Sequence, residues 1–468
     1  MTEPMGRGTP RGSHEDRSGI EMDDHGSATG SVTVIGAGYV GLVTAACLAR
    51  LGNTVRCVDQ NRPRIASLRS GKMPFSEPDL AELVMDGVAA GRLTFHTSLA
   101  AACRRAESVM VAVGTDEGGR WTDRHIRAVV ESLLALPAVP PNIIIRSTMR
   151  PGGMAILNGI ASAAGSQTHL YYNPEFTREG NAVADFMAPD RIVVGMALGA
   201  ASVAAEPVRR LYKGIAAPML PVDYATAELI KVGSNAFLAT KIAFANELAQ
   251  FCRSFGGDME ALRRGIGLDH RIGPEFLQPG LGFGGSCLPG QVDLLTEVAS
   301  ERQLTAHVVP AVARANRAQA HRVAEEILER QDSAVRVTIL GLAFKAGTDD
   351  TRESPALRLI DALKQRSVRR IRAYDPLVRV IPDRPDVHVV ADPYQAASGA
   401  DIVVVATEWP AFGRLDWTSM AGLVSRREVY DARGVVDVAA ATSAGFRVRS
   451  LVRQPADGAV AKDTSSAA

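Results

Sequence analysis

The sequence predicts an α/β fold: two doubly wound parallel sheets joined by a helical middle domain that contains one long helix. Three observations lead there. Short apolar strands alternate with helical stretches through the first part of the chain, the same alternation restarts near residue 331, and between them lies a run of apolar residues at three- and four-residue spacing with few breakers. At roughly 100–200 residues per domain, 468 residues suit two or three domains.

Met1–Gly30 is rich in Gly, Ser, Asp, Glu and Arg and lacks the apolar core of a signal peptide, so it is expected to be a disordered tail. The strand Ser31–Ile35 opens the first domain, 31–221. It enters Gly36-Ala37-Gly38-Tyr39-Val40-Gly41 and an apolar helix running to about Leu51. Strands are expected at Thr54–Val58, Ser108–Val113, Asn142–Ser147 and Leu170–Tyr172, with Arg191–Val194 closing the sheet. Val222 to about Phe255 reads as one long helix of a middle domain, 222–330, followed by helix after Pro289 and from Pro310 to Arg330. In the third domain, 331–453, Val337-Thr338-Ile339-Leu340-Gly341 echoes Val32-Thr33-Val34-Ile35-Gly36. Ile402–Ala406 echoes Val109–Val113, and strands at Ile371–Tyr374 and Glu428–Tyr430 complete a second Rossmann-like half. The Ala/Ser-rich end, 454–468, is expected to be a second tail.

Composition narrows the function classes. A net charge of +1 argues against nucleic acid or an acidic membrane as the main partner. No apolar run reaches the ~18–20 residues that span a bilayer. Cys47, Cys57, Cys103, Cys252 and Cys287 are an odd number without a C-x-x-C, which argues against a disulfide framework or a zinc site; no metal is expected, and a reducing cytoplasm fits best.

Gly36, Gly38 and Gly41 form G-x-G-x-x-G between a strand and a helix. The first permits the tight turn, the second lets a pyrophosphate approach the backbone, and the third allows close helix–strand packing, with the helix N-terminus offering free N–H groups to the phosphates. Asp59 ends the second strand, where a carboxylate accepts from ribose hydroxyls and repels a 2′-phosphate, favouring NAD over NADP. The bland alternative is a glycine turn without a ligand. Thr115 and Thr148 end two later strands on the ligand side of such a sheet, or simply cap helices.

Gly282-Phe283-Gly284-Gly285-Ser286-Cys287-Leu288-Pro289 places a cysteine at an expected helix N-terminus, where its thiolate gains stability and its pKa falls. The other four cysteines read as small buried core residues. Lys231 and Asn235 lie four apart on the long helix and share a face, either as an oxyanion-holding pair or as solvated surface. Asn173-Pro174-Glu175-Phe176-Thr177-Arg178-Glu179-Gly180 leaves a strand with two carboxylates, a pattern suited to acid/base work or to surface ion pairs.

From about Val32 to Val435 these segments resemble the UDP-glucose/GDP-mannose dehydrogenase family. The shared motifs stand here as GAGYVGL, VAVGT, NPEFTREG with PDRIVVG, ELIKVGSNAFLATKIAFANE, DHRIGPEFLQPGLGFGGSC and GLAFKAGTDDTRESP. The resemblance implies NAD held by Gly36, Gly38, Val40, Gly41, Asp59, Arg64, Thr115, Thr148, Glu179 and Arg352. It implies a UDP-sugar or other nucleotide sugar met by Phe176, Thr177, Arg178, Glu179, Lys231, Asn235, Phe276, Gly280, Phe283, Gly284 and Lys345, with Arg271 reaching the substrate of the neighbouring subunit of a homodimer built on the middle helix. Cys287 is implied as nucleophile, Glu175 as acid/base, and Lys231, Asn235 and Thr148 as further catalytic residues in a two-step oxidation of a sugar C6 hydroxyl to a carboxylate.

The sequence also departs from the family. Gly290-Gln291 stands where Lys-Asp is usual after Cys-x-Pro, Met149–Gly153 replaces a common Val-Pro-Val-Gly-Thr, and Asp116–Trp121 is an unusual loop. Without the Asp, slow turnover, another base or a single oxidation are alternatives to the full reaction. The motifs lean to UDP-glucose, with GDP-mannose as the other candidate.

Overall fold

The computed structural model describes residues 30–117, 120–199, 202–329, 334–381 and 384–452. The expected tails lie outside these residues, apart from Gly30.

The first sheet is built from β1 (Ser31–Ile35), β2 (Thr54–Val58), β3 (Leu93–His96) and β4 (Ser108–Val111), then, after a small antiparallel hairpin of β5 (Asp116–Glu117) and β6 (Arg120–Trp121), from β7 (Asn142–Ile145), β8 (His169–Tyr172), β9 (Ile192–Met196) and β10 (Met219–Asp223). Its strand order is β10-β9-β8-β7-β4-β1-β2-β3. β1 lies between β2 and β4, so the chain direction across the sheet reverses there. In open α/β sheets such a reversal creates the ligand crevice beyond the strand C-termini.

Two expectations need correction here. The sheet closes on β10, not on the strand around Arg191–Val194, and β8 meets β9 antiparallel at Tyr172 and Gly195. Pro221 within β10 is compatible with this edge position because an edge strand need not donate from every residue. β10 also absorbs Val222 and Asp223, so the long helix spans Tyr224–Ser254. Asp223 caps it, accepting from the Thr226 N–H at 2.9 Å.

The helices Cys287–Glu301 and Val308–Leu328 pack on this long helix, and Val308–Leu328 also packs on Pro355–Gln365 of the last domain. The second sheet contains β11 (Arg336–Leu340), β12 (Arg370–Tyr374), β13 (His388–Val389), β14 (Ile402–Val405), β15 (Glu428–Asp431) and β16 (Arg447–Ser450) in the order β13-β12-β11-β14-β15-β16, all parallel.

The echo between the two halves is structural. Buried Thr33 donates its hydroxyl to Ala102 O at 2.7 Å, and buried Thr338 donates to Ala396 O at 2.6 Å. Gly36 and Gly341 leave their strands with φ of 101° and 99°, and a Cβ on either would strike backbone at 2.4 Å or the Thr407 side chain at 2.4 Å, respectively. The halves differ at the acidic residue that ends their second strand. Asp59 keeps a partly open carboxylate, whereas Asp375 is fully buried and taken up by the N–H groups of Leu342, Ala343, Leu377 and Val378 and by the Trp409 indole. Of these two acids only Asp59 keeps part of its carboxylate at the surface.

Candidate active site

The turn after β1 fits a dinucleotide. A Cβ on Gly41 would lie 1.9 Å from Gly36 O, so the helix Tyr39–Arg50 can sit this close to the strand only with glycine there. Gly38 faces open space, which leaves its backbone approachable. The first turn of the helix has no acidic residue and no side-chain cap, so its N–H groups are available to an anion. Val40, half-buried, anchors this turn to the core. Asp59 accepts from Ala37 N–H at 2.8 Å and pairs with Arg64 at 3.3 Å. Thr115 and Thr148 are both half-buried in the loops that follow β4 and β7, and Trp121 of the hairpin donates its indole N–H to Thr148 O at 3.2 Å. The unusual loop thus braces the Thr148 segment.

Glu175 and Lys231 form a buried ion pair. Lys231 Nζ donates to Glu175 Oε1 at 2.8 Å and to its backbone O at 2.6 Å, while Thr177 donates N–H and hydroxyl to Oε2, both at 2.7 Å. Burial opposes the carboxylate charge, but the Lys231 ammonium and these hydrogen bonds outweigh it and hold Glu175 well below the usual carboxylate range. The Phe176 ring lies beneath Arg191, 4.0 Å from its guanidinium carbon, and 5.3 Å from Lys231 Nζ. One helical turn on, Asn235 Nδ2 donates to Gln291 Oε1 at 3.0 Å. Lys231 and Asn235 therefore do share a face, and that face is turned inward, not into solvent.

Cys287 is the first residue of its helix, as the Pro289 signal suggests, and is solvent-exposed, whereas Cys47, Cys57, Cys103 and Cys252 are buried. The expected lowering of its pKa does not hold. Protein surrounding the sulfur limits hydration of a thiolate and pushes the pKa up; Glu175 adds to this, against the Lys231 charge and the Ser286 hydroxyl. The preceding loop is pressed between domains. Phe283 exchanges hydrogen bonds of 2.8 and 3.0 Å with the Asn316 amide, Gly280 N–H donates to Asn246 at 2.7 Å, and a Cβ on Gly284 would sit 2.5 Å from Glu353 O. Gly285 N–H donates to Arg352 O at 3.0 Å. Phe276 adopts a left-handed φ of 62°.

Glu179 faces the third domain. Its carboxylate lies 3.5 Å from Arg352, which also pairs with Asp350 at 2.6 Å. Burial, then the neighbouring Asp350 charge, push Glu179 up to about 7 despite Arg352 and Lys345. Burial also lowers the pKa of Lys345, which Glu179 and Glu408 partly offset.

The structure thus joins Glu175, Phe176, Thr177 and Lys231 by direct contacts, sets Asn235 one helical turn on, keeps the Cys287 sulfur within electrostatic reach of Glu175 and Lys231, and brings Glu179 to Arg352 and Lys345 of the third domain. Arg178 instead turns to Asp185, at 2.7 Å, and Arg271 is exposed and pairs with its own Asp269 at 2.6 Å. Sequence reasoning missed Asp350 and Glu77. Asp350 could have been suspected from its place two residues before Arg352; Glu77 sits on irregular chain without a periodic signal.

Residues 30–216 match the UDP-glucose/GDP-mannose dehydrogenase family, NAD binding domain; residues 225–318 match its central domain and residues 338–438 its UDP binding domain. The chain is 39% identical to a UDP-glucose 6-dehydrogenase of Pseudomonas aeruginosa, over 90% of this chain and 97% of that protein. It is 33% identical to the UDP-glucose 6-dehydrogenase TuaD of Bacillus subtilis, over 92% and 95%. Among solved structures, a UDP-glucose dehydrogenase from Pyrobaculum islandicum superposes with a TM-score of 0.80 at 32% identity, covering 93% of this chain and all of that one. With three consecutive domains matched and a relative of this identity along nearly its whole length, the chain belongs to the UDP-glucose/GDP-mannose dehydrogenase family.

Proposed function

We propose that the protein oxidises the C6 hydroxyl of UDP-glucose to the carboxylate of UDP-glucuronate, with Cys287 as covalent nucleophile. The observation that carries this reading is an exposed thiol at a helix start, close enough to the buried Lys231–Glu175 pair to feel both charges, in a chain whose turn after β1 fits a dinucleotide.

Bound NAD supplies the hydride acceptor for both oxidations. Gly36, Gly38, Val40, Gly41, Asp59, Arg64, Thr115, Thr148, Glu179 and Arg352 would hold it. A base takes the C6 hydroxyl proton as the hydride leaves, Lys231 and Asn235 stabilise negative charge on the C6 oxygen, Thr148 is a further catalytic residue, and Glu175 serves as acid/base in the aldehyde and thioester steps. The Cys287 sulfur adds to the resulting aldehyde, giving a thiohemiacetal. Loss of a second hydride leaves a thioester on Cys287, and water cleaves it to the acid and the free thiol. Gln291 cannot serve as a base there, so release of the acid is the slow step. Phe176, Thr177, Arg178, Phe276, Gly280, Phe283, Gly284 and Lys345 line the place of the sugar nucleotide.

The working form is proposed to be a homodimer in the cytoplasm. Phe237, Phe244 and Phe251 are exposed at intervals of seven along the long helix, with Phe255 beyond them, forming an apolar stripe suited to a second copy. In that dimer Arg271 reaches the neighbouring substrate. Among the described residues no helix is long and apolar enough to cross a membrane.

The test is NADH release with UDP-glucose, GDP-mannose and UDP-N-acetyl sugars. UDP-glucose is expected to give the highest kcat/KM; preference for GDP-mannose overturns the substrate, and sugar binding without NADH overturns the activity.

A further inference from the structure

We propose that Glu77 is a positioning residue that makes the binding of the sugar nucleotide depend on the dinucleotide turn. The proposal rests on the cofactor and sugar sites assigned above. Glu77 lies in the irregular stretch between the helices Arg62–Arg69 and Leu80–Ala89, and it is buried. Its Oε2 accepts from the Tyr39 hydroxyl and from Gly180 N–H at 2.7 Å, and its Oε1 accepts from Ala182 N–H at 2.6 Å. Gly180 N–H also points at the Tyr39 oxygen, 3.1 Å away.

These donors come from separate segments of the chain. Tyr39 is the first residue of the helix whose N-terminus faces the cofactor phosphates, and its ring packs on Phe75 at 4.8 Å. Gly180 and Ala182 close the segment that carries Glu175, Phe176, Thr177 and Glu179. Gly180 has φ of 78°, and a Cβ there would lie 2.9 Å from Gly347 O in the segment bearing Lys345, Asp350 and Arg352. One carboxylate therefore links the dinucleotide turn to the sugar loop, at the point where that loop touches the third domain.

Among the described residues no lysine or arginine forms an ion pair with Glu77. Its charge is met by two backbone N–H groups and a phenol that burial keeps protonated. An amide in its place has a single acceptor oxygen, so it cannot serve Ala182 on one side and the Gly180–Tyr39 pair on the other. A cofactor that orders Tyr39 thereby orders the sugar loop, and by linkage the sugar orders the cofactor turn.

Calorimetry of UDP-glucose binding with and without saturating NADH tests this, because NADH cannot accept a hydride and the pair does not react. The wild type is expected to bind UDP-glucose about 5-fold or more tightly with NADH present. In Glu77→Gln and in Tyr39→Phe that ratio is expected to fall toward one, with each ligand still binding alone. Tyr39→Phe keeps the backbone contacts of Glu77 and serves if Glu77→Gln fails to fold. A wild-type ratio of one, or a ratio unchanged in Tyr39→Phe, overturns the coupling. Absence of binding by either ligand alone instead overturns the functional reading beneath it.

Discussion

Asn235 donates its side-chain N–H to Gln291 across 3.0 Å, joining the helix of Lys231 to the helix that starts at Cys287. Lys231 and Asn235 lie four apart on one helix, Cys287 and Gln291 four apart on the other, so the two pairs share facing sides of their helices and meet at Asn235 and Gln291. Gln291 is buried, and its carbonyl fixes which way the Asn235 amide points. Asp293, two residues on, is turned to Arg317 at the surface and does not replace it. Gln291→Leu is expected to lower kcat about 10-fold or more with little change in KM, a smaller loss than the 10²–10³ of deleting an oxyanion donor itself. Steady-state kinetics with an unchanged kcat would remove the amide pair from the mechanism.

The Glu175–Lys231 pair makes a statement about acid stability. The folded pKa of Glu175 lies below its unfolded value, so its contribution is complete above the ordinary carboxylate pKa, about 4.3, and is lost as pH falls below that toward the depressed value. Lys231→Met, which leaves a buried carboxylate without its cation, is expected to cost about 3–5 kcal/mol near neutral pH. Urea unfolding at several pH values checks both. A Glu175→Gln variant that loses stability on acidification as steeply as the wild type below pH ~4 contradicts the sign.

Glu179 carries the opposite sign. Its folded pKa is raised to about 7, so the folded state holds a proton that the unfolded state has released between the ordinary carboxylate pKa and 7. Its contribution to stability therefore falls as pH rises through that window. Relative to the wild type, Glu179→Gln is expected to be more stable at pH 8 than at pH 5, read as the difference in Tm. The reverse order contradicts the assigned shift.

The thiol of Cys287 is expected to alkylate with iodoacetamide along a pH curve displaced upward from a free thiol, because the protein around the sulfur limits hydration of the thiolate and Glu175 adds to this. Glu175→Gln removes a negative charge and is expected to move the curve down; Lys231→Met removes a positive one and is expected to move it up. Shifts of the reverse signs would show that these two charges do not act on the sulfur.

Much of this was legible in the residues. Strand–glycine–helix spacing pointed to the crowded glycine turn after β1, and the glycines before Cys287 pointed to a cysteine at a helix start, because both features are local. The last strand of the first sheet was hidden because Met219–Asp223 is short, contains Pro221 and runs straight into a helix whose periodicity absorbs Val222. The direction of the Cys287 shift was hidden because a helix N-terminus is visible in sequence while the walls that limit hydration of the thiol are assembled from distant segments. Glu77 was hidden for the same reason: its partners at positions 39, 180 and 182 are brought together only by the fold.

The proposed reaction depends most on a covalent bond between the sugar C6 and the Cys287 sulfur. The direct measurement is the yield of NADH per UDP-glucose consumed, with the product identified by mass, for the wild type and for Cys287→Ser. The expected result is two NADH and UDP-glucuronate from the wild type, against at most one NADH and no carboxylate from the variant. A single NADH from the wild type, or the acid formed at full yield without the thiol, would contradict it.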